Sequence, residues 1–304
     1  MYHEGQGSIT FDEIKTNAAK YRTTSGSTTV NIRTERNTWT DWFLIPTSRP
    51  AVKTPTVKTS SIEIPGANGL LDTTEALTGY PLYGNSAGSF EFIVDILRAN
   101  KSWIEIYDEL KTYFHGRELN MVLTDEPEYY YQGRFKVNQW KSDKEKNLVT
   151  IDYDIKPYRR SIVSTIDDWL WDPFNFNTGI VYDRAFKGIV VETEGLEDYQ
   201  TFIFRSAITG NMPVVPKFYA DLTTNPDPTE LAMNLRVWNV YRQSAPVNVT
   251  IHTSVVSSSN DTVVRKGTLY DPSIIIMNID EYDKVKIEFA GVGVVDIEFV
   301  PGRL

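Results

Sequence analysis

Residues 83–90 read YGNSAGSF, and inside them Gly84-Asn85-Ser86-Ala87-Gly88 matches G-x-S-x-G. In serine hydrolases that spacing lets a strand run into a strained turn and then a helix. The turn presents the serine oxygen, and its amides stabilise the oxyanion. Here the surroundings differ. Pro81 stands five residues before Ser86, and downstream Phe90, Phe92 and Val94 alternate as in a strand. His115 and His252 follow as formal bases, but no strand–helix alternation accompanies them. The simpler reading is a glycine-rich loop entering a strand, with no catalytic residue.

Other chemistry is thinner. His3, His115 and His252 are far apart and form no metal-ligand spacing. Thr124-Asp125-Glu126-Pro127-Glu128 clusters three acids before a tyrosine-rich strand, and a solvated turn explains them better than a metal does. No phosphate-binding glycine loop is present. Carboxylate pairs of the glycosidase type meet only in space, and 40 acidic residues make chance pairs common. Trp169 and Trp171 in DDWLWDPF suit a sugar platform, but buried indoles anchoring a strand are the commoner case. Two of the tyrosines at 129–131 are expected to pack under a helix. No cofactor is expected.

Composition narrows the class. At 41% hydrophobic and 23% charged, the 304 residues read as globular, with room for one to three domains. Aromatics at 12% favour strands and contact surfaces over a helical bundle. With no cysteine there is neither a disulfide framework nor a thiolate site. The stretch MYHEGQGSITFDEIK has no secretory pattern, and no apolar run approaches the ~20 residues that span a bilayer. Residues 1–160 carry 20 basic and 21 acidic side chains, against 11 and 19 in 161–304. Such a balance argues against a nucleic-acid binder, which needs clustered Lys and Arg.

One helix is clear. In NKSWIEIYDELKTYFHG, Ser102 and Glu105 form a capping box. Trp103, Ile106, Tyr107, Leu110, Tyr113 and Phe114 make one apolar face, and Gly116 ends it. Elsewhere period two dominates. Tyr129, Tyr131, Phe135 and Val137 pair as a hairpin with Val149, Ile151, Tyr153 and Ile155 across the polar loop KSDKEK. SSIEIPG and GSFEFIVD read as further strands. The proline-rich stretch 46–60 predicts an extended arm outside the core. After DIKPYRRS short strands separated by turns follow: GIVYD, GIVVETE, TFIFRS, VPKFYADL, LAMNLRVWNVY, PVNVTIHT, SIIIMNI, DKVKIEF and GVVDIEFV. That pattern predicts a second β-domain of sandwich or jelly-roll type, with the boundary near 160.

Four ordered blocks resemble the siphophage distal tail protein family: NTWTDWFLIPTSRP (37–50), IEIPGANGLLDTTEALTGYPLYGNSAGSFEFIV (62–94), YDELKTYFHGREL (107–119) and EYYYQGRFKVNQWKSDKEKNLVTIDYDIKPYRR (128–160). In that family the glycine-serine segment is a structural loop and strand. The resemblance implies a mostly β protein: a tail-tube-like β-sandwich at 1–160, with one flanking helix and an extended arm, then a galectin-like jelly roll at 161–304. It implies a virion component of the tail tip, assembled in the bacterial host cytoplasm. Its partners would be further copies in a homo-hexameric ring, the major tail tube protein, the tail-associated protein of the tip and receptor-binding proteins. A host glycan is a candidate ligand of the second domain. Neither membrane insertion nor sequence-specific nucleic acid binding is implied. The expected ring-interface residues are Trp39, Trp42, Pro46, Arg49, Pro50, Pro55, Pro65, Gly66, Gly84 and Gly88. Deletion of residues 47–60 is expected to abolish rings and leave a folded monomer. A channel without basic excess would let DNA slide through.

Overall fold

The structure, a computed structural model, describes residues 7–13, 35–76, 81–142, 147–162, 164–166, 186–205, 210–225, 231–238, 246–257, 263–276 and 284–304. The chain is mostly β and divides into two compact units, Met1–Arg159 and Arg160–Leu304. DDWLWDPF and GIVYD lie outside the described residues, as does the tip of KSDKEK.

In the first unit the order is β1 (Ile9–Glu13), β2 (Arg36–Asn37), α1 (Thr38–Trp42), β3 (Leu44–Pro46), β4 (Val57–Lys58), β5 (Ser61–Glu63), β6 (Leu70–Asp72), β7 (Leu82–Tyr83), β8 (Ser86–Val94), α2 (Ile96–Ala99), α3 (Trp103–Phe114), β9 (Glu118–Leu123), β10 (Tyr129–Ser142) and β11 (Asn147–Ile155). The main sheet runs β2-β1-β9-β10-β11-β8-β3, with antiparallel neighbours. Alternation decides which face is buried. Phe90, Phe92 and Val94 of β8 are buried, as are Val149, Ile151, Tyr153 and Ile155 of β11 and Phe135 of β10. Arg134, Lys136 and Asn138 of β10 stay exposed. The apolar face of α3 closes this core through Ile106, Leu110 and Phe114. Phe11 meets the rings of Phe114 and Phe135 edge-on, with centroids 4.8 and 5.0 Å away.

The capping box forms as the sequence indicates: the Glu105 N–H donates to Ser102 Oγ, and the Ser102 N–H donates to Glu105 Oε2 at 2.7 Å. The Ser102 hydroxyl, which also donates to Glu105 Oε2 at 2.7 Å, and the Ser102 N–H together hold the Glu105 carboxyl below its usual range. Helix and sheet also meet through Trp140, whose ring lies 5.8 Å from both Trp103 and Tyr107. A bulge between Val137 and Trp140 shifts the alternation by one residue and turns Trp140 toward the helix.

β12 (Arg159–Ser161) spans the point of division. The second unit continues with β13 (Ile189–Glu192), β14 (Gln200–Arg205), β15 (Lys217–Asp221), β16 (Ala232–Val237), β17 (Val247–His252), β18 (Ser254–Ser257), β19 (Val263–Tyr270), β20 (Lys284–Ala290), β21 (Val292–Glu298) and β22 (Gly302–Arg303). Two antiparallel sheets, β13-β21-β15-β19-β18 and β14-β20-β16-β17, form a sandwich. Phe218 of one sheet packs edge-on to Phe289 of the other, and Val191, Leu235, Ile251, Val295 and Ile297 fill the space between. One candidate strand differs. The described part of SIIIMNI buries Ile274 and Ile276 but makes only a single bridge, Ile276 to Val214. An apolar run can fill a core as a loop without entering a ladder.

Candidate functional site: a clamped β-arm

Ser86 is not at an elbow. It opens the nine-residue strand β8, is buried, and donates through Oγ to the Lys53 carbonyl at 2.6 Å. The Lys53 N–H in turn donates to the Tyr153 hydroxyl at 3.1 Å. Both backbone polar groups of Lys53 are therefore held by side chains of neighbouring strands, which fixes a segment that has no ladder of its own. Gly88 makes room for this arrangement. A Cβ there would lie 2.4 Å from the Tyr153 hydroxyl. Gly84 donates its N–H to the Thr56 carbonyl at 2.8 Å and closes the next rung. The glycine-serine motif is thus the root clamp of whatever leaves the body between Thr54 and Tyr83.

What leaves is a β-hairpin. Val57 and Lys58 of β4 pair with Tyr83 and Leu82 of β7, and further out β5 pairs with β6 from Ser61–Asp72 to Glu63–Leu70. The Thr73 N–H donates to the Ser60 carbonyl at 2.8 Å, and Asp72 Oδ1 accepts the Thr74 N–H at 2.9 Å. The Thr74 side chain and, to a lesser degree, its N–H pull the Asp72 carboxyl below its usual range. The tip turns at Gly66, where φ is +84°, a value that glycine adopts without strain. The surface of this ribbon is apolar. Leu70, Ile62 and Leu71 are 65%, 55% and 51% exposed, and Val57, Ile64 and Leu82 are exposed as well. A lone two-stranded ribbon is marginal in water, and an apolar patch of this kind marks a contact surface.

The expected interface residues fall into two sets. Pro65 and Gly66 sit at the exposed tip, Pro55 half-buried near the root, and Gly84 and Gly88 at the clamp. Trp42 is interior: its ring lies 5.4 Å from Tyr113 and 5.8 Å from Phe114 in the core of its own unit. Pro46 and Pro50 are buried too, so residues 46–50 run along the body, and the projecting part begins later than the 46–60 stretch suggests. Arg49 pairs with Asp125 at 2.7 Å. Trp39 is half-buried, edge-on to Phe43, with the Arg98 guanidinium 5.6 Å from its ring. The prolines of 46–60 mark only that stretch as an arm, and SSIEIPG reads as a separate strand, so the sequence does not join β5 and β6 to the arm. The unused signal was the pair of short apolar runs flanking PGANG, a hairpin pattern.

Of the acids at 124–128, Glu126 is engaged in the fold. It accepts from Tyr131 at 2.9 Å and from Arg159 at 2.7 Å, and Arg159 also lies 4.9 Å from the Tyr129 ring centroid. Burial and the bond to Glu126 push the Tyr131 hydroxyl up to about 12. Among the described residues no group of three or more His, Asp or Glu is placed to hold a metal, and no helix is long and apolar enough to cross a membrane.

No family model matches the chain, and no curated protein does. Among solved structures it is similar to one titled "Crystal Structure of SPP1 Dit (gp 19.1) Protein, a Paradigm of Hub Adsorption Apparatus in Gram-positive Infecting Phages". The identity is 12% and the TM-score 0.48, over 88% of this chain and 96% of that one.

Proposed function

We propose that this chain is a structural subunit of a siphophage or prophage distal tail, assembling head to tail into a closed ring that joins the tail tube to the tip and its adsorption apparatus. The observation that carries the reading is the clamped hairpin with an apolar surface on a chain whose sequence blocks resemble the distal tail family. A hairpin fixed at its root and apolar along its length is built to lie on another surface. When one patch of a subunit meets a different patch on the next, the contact propagates and closes if the rotation fits. Six copies close the ring in the family resembled. Permanent interfaces of this kind bury on the order of 2,000 Å² or more.

Removing residues 61–72 tests the reading. Their flanks, Ser60 and Thr73, are already hydrogen-bonded, so the shortened ribbon can close. The expected result is an unchanged circular dichroism spectrum and a shift from ring to monomer in sedimentation velocity. Rings that persist would overturn the assignment.

A second reading, recognition of host cell-wall carbohydrate by residues 161–304, is favoured by one feature. The outer face of β15, β19 and β21 carries Tyr219 bonded to Glu298, with Asp296, Thr268 and the exposed Tyr270 beside them. Tyrosine with carboxylates on a flat sheet suits sugar hydroxyls and ring faces. Wall-polymer pull-down with the intact protein, and its loss in Tyr219→Ala, would support it; retention equal to that of the variant would remove it.

A further inference from the structure

Asparagine is followed by glycine once in the chain, at Asn68-Gly69. The pair sits in the turn between β5 and β6. The Ala67 N–H donates to the Ile64 carbonyl at 3.1 Å just before it, and the strand pairing begins only at Leu70, opposite Glu63. Both residues are exposed, and among the described residues no hydrogen bond holds the Asn68 amide. Gly69 has a φ of +88°, and a Cβ built on it would meet nothing within 4 Å, so the backbone there is open. Other asparagines are screened. Asn85 precedes Ser86, which is buried at the start of β8. Asn120, Asn147 and Asn234 lie in β9, β11 and β16, followed by Met121, Leu148 and Leu235.

We propose that Asn68-Gly69 is a site of spontaneous covalent modification, at which the chain converts its own amide to an isoaspartyl link. The Gly69 amide nitrogen gives up its proton and attacks Cγ of Asn68. A bond forms between them, the Cγ–Nδ2 bond breaks, and ammonia leaves with a proton taken from water. The product is a five-membered succinimide. Attack between neighbouring groups needs no encounter, which lets so weak a nucleophile act. Water then opens the ring. Cleavage between the nitrogen and the main-chain carbonyl carbon leaves the chain running through Cβ and Cγ as isoaspartate; cleavage at Cγ gives aspartate. Water is consumed and ammonia released, with no change of oxidation state. Either product adds a carboxylate to a ribbon that already holds Glu63 and Asp72. Isoaspartate also lengthens the backbone by one methylene beside the Glu63–Leu70 pair, and two strands of three residues have little reserve against that.

The intact protein is incubated at neutral and mildly alkaline pH, and its peptides are mapped by mass spectrometry. The expected result is a gain of one mass unit at Asn68, divided between isoaspartate and aspartate. Its rate should rise with pH, because the attacking nitrogen must lose its proton, and should exceed that at Asn120, Asn147 and Asn234 by about tenfold or more. Asn68→Gln, whose longer side chain would have to close a six-membered ring, is expected to stay unconverted. Hydrogen exchange at 61–63 and 70–72 is expected to rise in the aged protein and not in Asn68→Asp, which adds the charge without the methylene. An Asn68 that stays intact, or converts no faster than the strand asparagines, overturns the proposal. Equal exchange in the aged protein and in Asn68→Asp overturns the effect on the ribbon. A chain that stays monomeric at every concentration removes the ring and leaves this site standing.

Discussion

At the scale of single residues, Ser86, Tyr153 and Gly88 do one job together. Ser86→Ala removes the donor to the Lys53 carbonyl, and Tyr153→Phe removes the acceptor for its N–H. Each is expected to cost about 1–2 kcal/mol in denaturant unfolding, the range for a lost hydrogen bond with a partly buried partner left behind. Since both act on one residue, the double variant is expected to lose less than the two costs added. Additive costs would mean that the clamp is two unrelated contacts. Tyr131 makes a second residue-scale prediction. Its hydroxyl is raised from 10.0 to about 12, so the folded state holds the proton more tightly than the unfolded chain. That contribution is complete below pH 10 and is lost as pH rises through 12, because the unfolded state ionises first. Stability of the wild type is therefore expected to fall across this window more steeply than that of Tyr131→Phe. Equal alkaline slopes would show that the Glu126 bond and the burial around Tyr131 do not protect the phenol.

At the scale of elements, α3 was legible because several signals coincide in one short stretch. Ser102 with Glu105 marks its start, helical spacing marks its face, and Gly116 its end. Ser102→Ala is expected to lower stability by about 1 kcal/mol, the usual cost of a lost N-cap, in thermal or urea unfolding. Leu110→Ala should cost about 2–5 kcal/mol, since its side chain is fully buried between helix and sheet. A Ser102→Ala loss near zero would assign the helix wholly to its packing. The hairpin β10–β11 was legible for a similar reason: alternation over many residues leaves one register in which the apolar face is inward. Other elements carry weaker marks. In β1 only Ile9 and Phe11 alternate, and its strand character comes from pairing with β9, over a hundred residues away. The short α1 rests on Asn37, which accepts from the N–H groups of Trp39 and Thr40, and a five-residue helix shows no periodicity. The arm was half legible. Its prolines announce extended chain and the apolar runs flanking PGANG a hairpin, but the rung from the Gly84 N–H to the Thr56 carbonyl that closes the root has no local sequence signal. Among the residues expected from the resemblance, Pro65 and Gly66 fall at an exposed turn, whereas the interior place of Trp42 depends on Tyr113 and Phe114, far along the chain.

At the scale of the whole molecule, the second unit draws its core from its own two sheets. Phe204, Leu235, Ile251 and Phe289 come from one, and Val191, Phe218, Val295 and Ile297 from the other. With 11 basic and 19 acidic residues in 161–304, its surface has no electrostatic reason to hold a polyanion. On the ground of that separate core, the second unit is expected to fold without residues 1–159. Expressed alone, residues 160–304 are expected to unfold in one cooperative urea transition, with near-ultraviolet circular dichroism signals from packed aromatics such as Phe218 and Phe289. They should stay monomeric at concentrations where the intact chain forms the proposed rings, because the arm lies in the first unit. A fragment that unfolds without cooperativity would tie the sandwich to the first unit for its stability. A fragment that assembles by itself would move the ring-forming surface from the hairpin to the second sandwich.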